Sequence, residues 1–495
     1  MLYRALILVL FLSGFFFITS CDTGVQGDLN ENQPPLVFLS VESVDRSENR
    51  LSSQVHIRWW GSDPDGYVVG YEFAIDDPSG WTFTTRTDSV FVLPIEPGEQ
   101  TGDVEFFVRA IDNEGLASAE PASVVFQIVN TPPVATFDRN VSVSDTTYNI
   151  ANFGWSISDA DGEENLRDIE IALNDTTAAD AWKVLPIGVN FINLVLENGD
   201  TNPQFRVHTG QTFQATDVLL DNVQLDSDNT FYLRAVDQAD ARSEVDEITW
   251  HLKRQTSRIL FLNDYSTNTE AAATLHQNLL ANAGITEYDY IDISDGVVAG
   301  GFKVPFTQAF PSVTTPTVNQ TLAYWDYIYW VSNDLDRNIV YALEITEQFF
   351  ENGGKMFLNI PSKFLTPDEG VFNFLPVTRM TPRPTEANNF IVVRNEPVLP
   401  VGGFSGPELQ LASNLQNRPP IQVAPGAQPL YQATFRLSLL TGGSAPFDGN
   451  SIVAARSADD NMIYFALDMR DFENNQNLAD FLAQMVLDEL GFSSN

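Results

Sequence analysis

Two short acidic turns and one thiol are the strongest chemical signals in the sequence. Asp63-Pro64-Asp65-Gly66 and Asp159-Ala160-Asp161-Gly162 each set two carboxylates around a tight turn, as hard cations such as Ca²⁺ prefer. Neither continues into a twelve-residue EF-hand loop, although Glu163 and Glu164 stand close to the second. The competing reading is a turn in which Asp caps its own backbone and Gly takes positive φ. The turn is the leading reading, so no cofactor is expected, and Asp63, Asp65, Asp159 and Asp161 stand only as weak Ca²⁺ candidates. Four scattered histidines and a single cysteine give no support to a zinc or other transition-metal site. Ser332 and Ser362 each follow a predicted strand, where α/β domains place functional loops. Neither lies in a Gly-x-Ser-x-Gly elbow. Carboxylate-only hydrolysis of glycan or peptide is the alternative activity, but acidic residues are too abundant to single out a pair. No catalytic set is expected, and the chain reads as a non-enzyme.

The thiol, Cys21, stands at the end of a three-part leader. Arg4 supplies positive charge, Ala5 to Ile18 is apolar apart from Ser13 and Gly14, and small Thr19 and Ser20 follow. The apolar run is short for a spanning helix, which needs ~20 residues. Ile18-Thr19-Ser20-Cys21 resembles the lipobox of bacterial lipoproteins. That resemblance implies removal of residues 1–20, a diacylglyceryl group on Cys21 and acylation of the new N-terminus. Several acyl chains make a stable anchor where one binds only marginally. The expected location is the bacterial cell envelope, at the outer membrane or cell surface, with the membrane itself as one partner.

The elements that carry these residues follow from composition and periodicity. The chain has 495 residues, room for two to four domains. One cysteine excludes an internal disulfide framework, so packed cores must supply stability. The formal charge of -40 repels nucleic acid and anionic lipid headgroups and offers no basic stripe for phosphates. Residues 21–33 are rich in Gly, Asn, Asp and Gln and read as a flexible tether.

Two related segments come next. Trp59-Trp60-Gly61-Ser62 and its acidic turn recur as Trp155-Ser156-Ile157-Ser158 and the second turn, 96 positions later. Phe106-Phe107-Val108-Arg109-Ala110-Ile111-Asp112 recurs 125 positions later as Phe231-Tyr232-Leu233-Arg234-Ala235-Val236-Asp237. The second copy thus holds about 29 extra residues, placed within Asn174 to Asp226. Each copy opens near a diproline, Pro34-Pro35 and Pro132-Pro133. Val55, Ile57 and Trp59 alternate with Gln54, His56 and Arg58, the period of a half-buried strand. Short strands broken by turns over ~100 residues predict a β-sandwich. The early tryptophan, Gly70-Tyr71 and Val108 to Gly115 resemble fibronectin type III and related Ig-like domains. Val104 and Asn229 stand where that family places its corner tyrosine, so Ig-like is the fitting description. The expected modules are 34–130 and 131–254, the latter with the insertion.

From Arg258 the pattern changes. Ile259-Leu260-Phe261-Leu262 is a continuous apolar run, the mark of a strand buried on both faces. Helices are predicted over Asn268 to Ala283, Arg337 to Asn352 and Leu478 to Leu490, alternating with strands at Tyr288–Ile293, Tyr324–Val331 and Lys355–Ile360. Further strands are predicted at Ser451–Ala455 and Met462–Leu467. This implies an α/β parallel sheet over 257–493. Ile259 to Asp264, Trp325-Asp326-Tyr327-Ile328, Gly353-Gly354-Lys355 and Ile463-Tyr464-Phe465 resemble the flavodoxin-like fold of class I glutamine amidotransferase-like domains. Active members use a cysteine with a histidine. Here Cys21 lies far outside, and His276, the only histidine of the domain, is expected at a surface or half-buried helix position. The resemblance therefore implies a non-catalytic relative. The whole reads as a multidomain binding or scaffolding lipoprotein: an Ig-like stalk presents an α/β head to a protein or glycan partner. Its binding loops are expected at Asn263 to Thr269 and Ser332 to Arg337.

Overall fold

The computed structural model describes residues 31–493 except 43–45, 48–49, 97, 144, 198–200, 294–297, 300–301, 304–314, 337, 367–369 and 474–475. The leader, Cys21 and most of the expected tether lie outside the described residues. The chain forms two compact units. One runs to Thr131 and takes in Ala160–Gly162; the other holds Pro132–Asp159 and everything from Glu163 onward.

The first unit is a sandwich of short antiparallel strands. One sheet is β1 (Leu36–Glu42), β4 (Gln54–Ser62) and β7 (Asp88–Val92), in that order. The facing sheet begins with the short β2 (Arg46–Ser47) and β3 (Arg50–Ser52). It continues through β9 (Ala122–Val129), β8 (Thr101–Asp112), β5 (Val68–Ile75) and β6 (Thr82–Thr84). The alternation in β4 does what period 2 requires: Val55, Ile57 and Trp59 are buried against Phe106, Val108 and Ala110 of β8. Trp59 packs on Tyr71, Phe73, Phe91 and Phe106 at ring distances of 6.1–6.5 Å. Its indole N–H donates to the Arg86 carbonyl at 2.9 Å, so the buried polar atom is satisfied.

The second unit opens with the same frame. Strands β10 (Val134–Phe137), β12 (Ile150–Ser158) and β15 (Phe191–Glu197) pair as β1, β4 and β7 do. The insertion is a hairpin, β16 (Gln204–Thr209) and β17 (Gln214–Leu220), which extends this sheet beyond β15. The opposite sheet is β11 (Thr146–Thr147), β19 (Asp246–Leu252), β18 (Ser227–Asp237), β13 (Leu166–Leu173) and β14 (Lys183–Pro186). Asn229, at the missing tyrosine position, is fully buried. Its amide accepts from the Gln224 N–H at 2.9 Å and donates to the Gln224 carbonyl at 2.8 Å, closing the corner by another route. Residues 34–254 are thus two all-β, Ig-like sandwiches.

The same compact unit continues into an eight-stranded sheet. Five strands are parallel, in the spatial order β21 (Asp289–Asp292), β20 (Ile259–Asp264), β22 (Tyr327–Ser332), β23 (Lys355–Asn359), β27 (Met462–Phe465). Beyond β27 lie β26 (Ile452–Arg456), β25 (Gln428–Gln432) and β24 (Leu399–Pro400), all antiparallel. The sheet is therefore mixed where a parallel one was expected. The short turn Ser457–Asn461 leaves no room for a crossover, so β26 and β27 must form a hairpin. Between β23 and β26 the chain adds a smaller antiparallel sheet built on Ala387–Val392 and Phe435–Leu439.

Alternate residues of the central strands feed two cores. Ile259, Phe261, Tyr329, Phe357 and Phe465 pack under α1 (Thr269–Asn282) and α5 (Gln476–Ala483). Leu260, Leu262, Trp330, Leu358 and Tyr464 pack under α2 (Thr315–Leu322), α3 (Ala342–Ile345) and α4 (Glu347–Glu351). The single helix expected over 337–352 is segmented: a 3₁₀ turn at Asn338–Tyr341 leads into α3, and α3 and α4 meet at Thr346, whose N–H and hydroxyl both donate to the Ala342 carbonyl, at 3.0 and 2.6 Å. The final helix passes into a π-helical turn at Gln484–Glu489.

Second sandwich and sheet are joined by specific polar contacts. The Tyr148 hydroxyl donates to the Tyr290 carbonyl at 3.0 Å and accepts from the Tyr290 N–H at 3.2 Å. Its ring meets Trp325 edge-on, and the Trp325 indole donates to Asp289 at 2.8 Å.

Candidate functional site at the carboxyl edge of the parallel strands

Each parallel strand ends, or is followed closely, by a polar side chain. Asn263 and Asp264 close β20, Asp292 closes β21, Ser332 closes β22, Asn359 closes β23, and Asp468 follows β27. All but Asp292 are buried. Burial of such groups is costly unless they are bonded, and the bonds knit the edge together. Asn263 donates to Asp292 at 3.1 Å and to the Tyr290 hydroxyl at 3.0 Å. The Asn338 amide donates to Asp264, and the Ser332 hydroxyl donates to the Asp264 carbonyl at 3.2 Å. Asn359 donates to the Leu467 carbonyl at 2.7 Å and accepts from the Met469 N–H at 3.2 Å.

The two loops expected to bind a partner meet here. The N–H and hydroxyl of Ser266 both donate to Asn333 Oδ1, at 3.0 and 3.1 Å, and Asn333 donates to the Thr267 hydroxyl at 3.3 Å. Asn268 takes a left-handed conformation, φ 50°, which turns the chain into α1. On the rim, Lys363 Nζ is held by Asp334 at 2.8 Å and by Asp336, and these carboxylates raise its pKa. Arg337 lies outside the described residues.

His276 is buried completely, not half exposed as its helix position suggested. The reason is its partners. Nδ1 lies 2.7 Å from the Tyr329 hydroxyl and Nε2 3.1 Å from the Tyr265 hydroxyl, which donates to Asp468 at 2.9 Å. Asp468 is chelated by Arg470 through Nε and Nη2, and the guanidinium stacks 4.2 Å over Tyr265. A consistent proton order has Tyr329 donating to Nδ1 and Nε2–H donating to Tyr265, so the neutral imidazole satisfies every member. Burial lowers the His276 pKa to about 4, and burial raises Tyr265 and Tyr329 well above their ordinary value. Both ring nitrogens are engaged with tyrosines, so His276 serves neither Ser332 nor Ser362. Ser362 instead donates to the Pro419 carbonyl at 2.7 Å. This network was not anticipated, because its members are separated by up to some two hundred residues in sequence.

The acidic turns behave as turns with one exception. Asp65 accepts from the Gln33 N–H at 3.1 Å, Asp159 from the Asn165 amide at 3.2 Å, and Asp161 from the Thr131 N–H at 2.5 Å and the Ser53 hydroxyl. Gly162 has positive φ, 109°, as expected, while Gly66 of the first turn does not take positive φ. Asp63 Oδ2, by contrast, is buried without a hydrogen-bond partner. Among the described residues no group of three or more His, Cys, Asp or Glu side chains is placed to hold a metal ion, and no helix is long and apolar enough to cross a membrane.

No family model matches the chain, and no curated protein matches it. Solved structures similar to parts of it include the PKD1 domain of Vibrio anguillarum Epp, 15% identical, covering 20% of this chain and 98% of that one, TM-score 0.15. The fibronectin(III)-like modules of Clostridium thermocellum CbhA are 13% identical over 44% of this chain and 95% of theirs, TM-score 0.17. A two-domain fibronectin type III segment of chicken tenascin is 16% identical over 43% of this chain and 97% of its own, TM-score 0.21. At these scores the likenesses carry no argument about function.

Proposed function

We propose that this protein is an envelope lipoprotein, anchored through lipid on Cys21, that binds a protein or glycan partner at the carboxyl edge of its C-terminal sheet and performs no catalysis. The observation that carries this reading is the bonded pair of loops at Ser266–Thr267 and Asn333, a pre-organised rim over strands that each end in, or are closely followed by, a polar residue. The chain's only cysteine is Cys21, so this domain has no thiol nucleophile. In chain order the five parallel strands run 2-1-3-4-5 across the sheet, which supports a flavodoxin-like reading of this part and its resemblance to amidotransferase-like domains. In such sheets ligands bind outside the carboxyl ends of the strands. The test is capture of envelope extract and glycan arrays by the purified full chain. Asp334→Ala should reduce retention several-fold, and Asn333→Ala should do so while also costing about 1 kcal/mol through its lost loop bonds. Retention that survives both substitutions would move the binding surface elsewhere.

The first acidic turn is proposed as a weak Ca²⁺ site, because Asp63 Oδ2 lacks a protein donor while the carboxylates of the second turn have theirs. At Ca²⁺ ten times above a Kd in the millimolar range, linkage gives about 1.4 kcal/mol. Chelation should lower the melting temperature of the first sandwich accordingly, and Asp63→Asn should remove that response. No change on chelation would leave the turn purely structural.

A further inference from the structure

We infer that the pole of the first sandwich at which the chain enters is a lipid-contacting surface, resting on the bilayer that holds Cys21. The inference rests on the lipid-anchor reading and extends it to named side chains of the folded domain.

The chain arrives at this pole under constraint. The Asn32 amide donates to Asp112 at 2.6 Å and the Gln33 N–H donates to Asp65 at 3.1 Å, fixing the incoming segment to two end turns. Those turns are tied to each other: the Asn113 N–H donates to the Tyr67 carbonyl at 3.1 Å, and the Tyr67 N–H to Asn113 Oδ1 at 2.9 Å. Ten residue steps separate Glu31 from Cys21, and no conformation of them spans more than about 36 Å. The pole is therefore always close to the anchoring atom.

Its exposed side chains suit that neighbour. Leu36 is 55% exposed, Tyr67 66% and Leu116 40%, all at the end of the sandwich. One row deeper, Trp60 and Phe38 are cross-strand partners with rings 5.6 Å apart on the outer face, Trp60 being 50% exposed. Trp60 sits two residues from the end of β4, about 7 Å at the rise of a strand, which matches the ~5–10 Å depth of interfacial insertion. Tryptophan and tyrosine are the residues enriched at that depth.

The second sandwich supplies the internal control. Its register places Thr136 opposite Ser156 where the first copy has Phe38 opposite Trp60. By the same alignment Glu163 stands for Tyr67 and Ala241 for Leu116, with Ala241 and Leu116 making the same N–H bond to Asp237 and Asp112. The frame is shared, so its folding does not call for aromatic and aliphatic groups at these positions. The outermost position is apolar in both copies, Leu36 and Val134, but the groups at 38, 60, 67 and 116 are carried by the copy joined to the tether and not by the second. Asp63, Asp65 and Glu114 share the pole, so contact should favour zwitterionic lipid and weaken on anionic lipid.

The experiment uses the full, lipidated chain in phosphatidylcholine vesicles, with lipid on Cys21 verified by mass spectrometry. Because Cys21 is consumed by the lipid, a cysteine introduced by Tyr67→Cys or Leu116→Cys carries the only thiol for a nitroxide. Val125→Cys, at an exposed position on β9, is the reference. At 67 and 116, collisions with oxygen should exceed those with a water-soluble nickel complex several-fold, with the reverse at 125. Half replacement by phosphatidylglycerol should reduce the difference. Water-accessible labels at both positions in verified lipoprotein would overturn the inference and leave the anchor intact. Retention on a neutral polysaccharide with the labels still in water would overturn it in favour of a glycan surface. An unmodified Cys21 would remove the anchor reading, and this inference with it.

Discussion

The two sandwiches share a frame and differ in what covers it. Both bury a tryptophan of the second long strand, Trp59 and Trp155, with the indole N–H on a loop carbonyl. Both also clamp an arginine between a glutamate and a third tryptophan: Arg109 with Glu72 and Trp81, Arg234 with Glu170 and Trp182. Yet the first forms one compact unit with Ala160–Gly162, while the rest of the second shares one with the eight-stranded sheet through Tyr148, Asn149 and Asn193. The lesson is that a sandwich core specifies its own strands and leaves the outer surface open. Polar groups there recruit a neighbouring domain in one copy, and apolar groups stay exposed in the other.

The largest expected effect comes from truncating the two cores. Trp250→Ala should cost 3–5 kcal/mol, as a fully buried ring stacked edge-on to Phe153. Calorimetry should show it lowering the transition of the α/β sheet as well as that of the second sandwich, while Trp59→Ala lowers the other transition alone. A single transition moved equally by both would erase the distinction. Next comes acid. The folded-state pKa of His276 lies below that of the unfolded chain, so the unfolded state takes up its proton first. The stability contributed by the neutral ring is complete above pH 6.5 and is lost as pH falls toward 4, on the order of 3 kcal/mol. Denaturant midpoints measured from pH 7 to 4 should follow that course for the second unit.

Tyr148→Phe should cost about 1 kcal/mol by removing two bonds to Tyr290, and hydrogen exchange at Tyr290 should quicken. Exchange unchanged there would mean that packing of Tyr148 on Trp325 alone holds the two parts together. The smallest effect belongs to the arginine clamps. Arg109→Ala and Arg234→Ala should each cost about 0.5–1 kcal/mol, since these pairs are partly exposed. A much larger loss at Arg234 would show that the second clamp has become part of the joint unit.

Much of this was legible in the sequence because it rests on period and repetition. The 96- and 125-residue offsets located both sandwiches, and the insertion they implied is the β16–β17 hairpin. Adjacent Trp59 and Trp60 carried a further signal, since strict alternation sends one of the two to the outer face. Less legible was the region between β23 and β26, where short strands divided by Pro and Gly show no sustained period. Its antiparallel additions turned an expected parallel sheet into a mixed one. The meeting of the loops after β20 and β22 was legible as a place, through the rule that loops follow parallel strands, but not as a set of bonds.

Local pattern along the chain determined which residues face inward in each strand and where the copies begin, because periodicity and turn chemistry act over a few residues. Tertiary structure alone decided that His276 is buried and neutral, that Ser266 meets Asn333, and that Phe38 and Trp60 stand at the same end as Tyr67 and Leu116. Those juxtapositions depend on strand register and crossover, which join residues far apart in the chain and which no local period encodes.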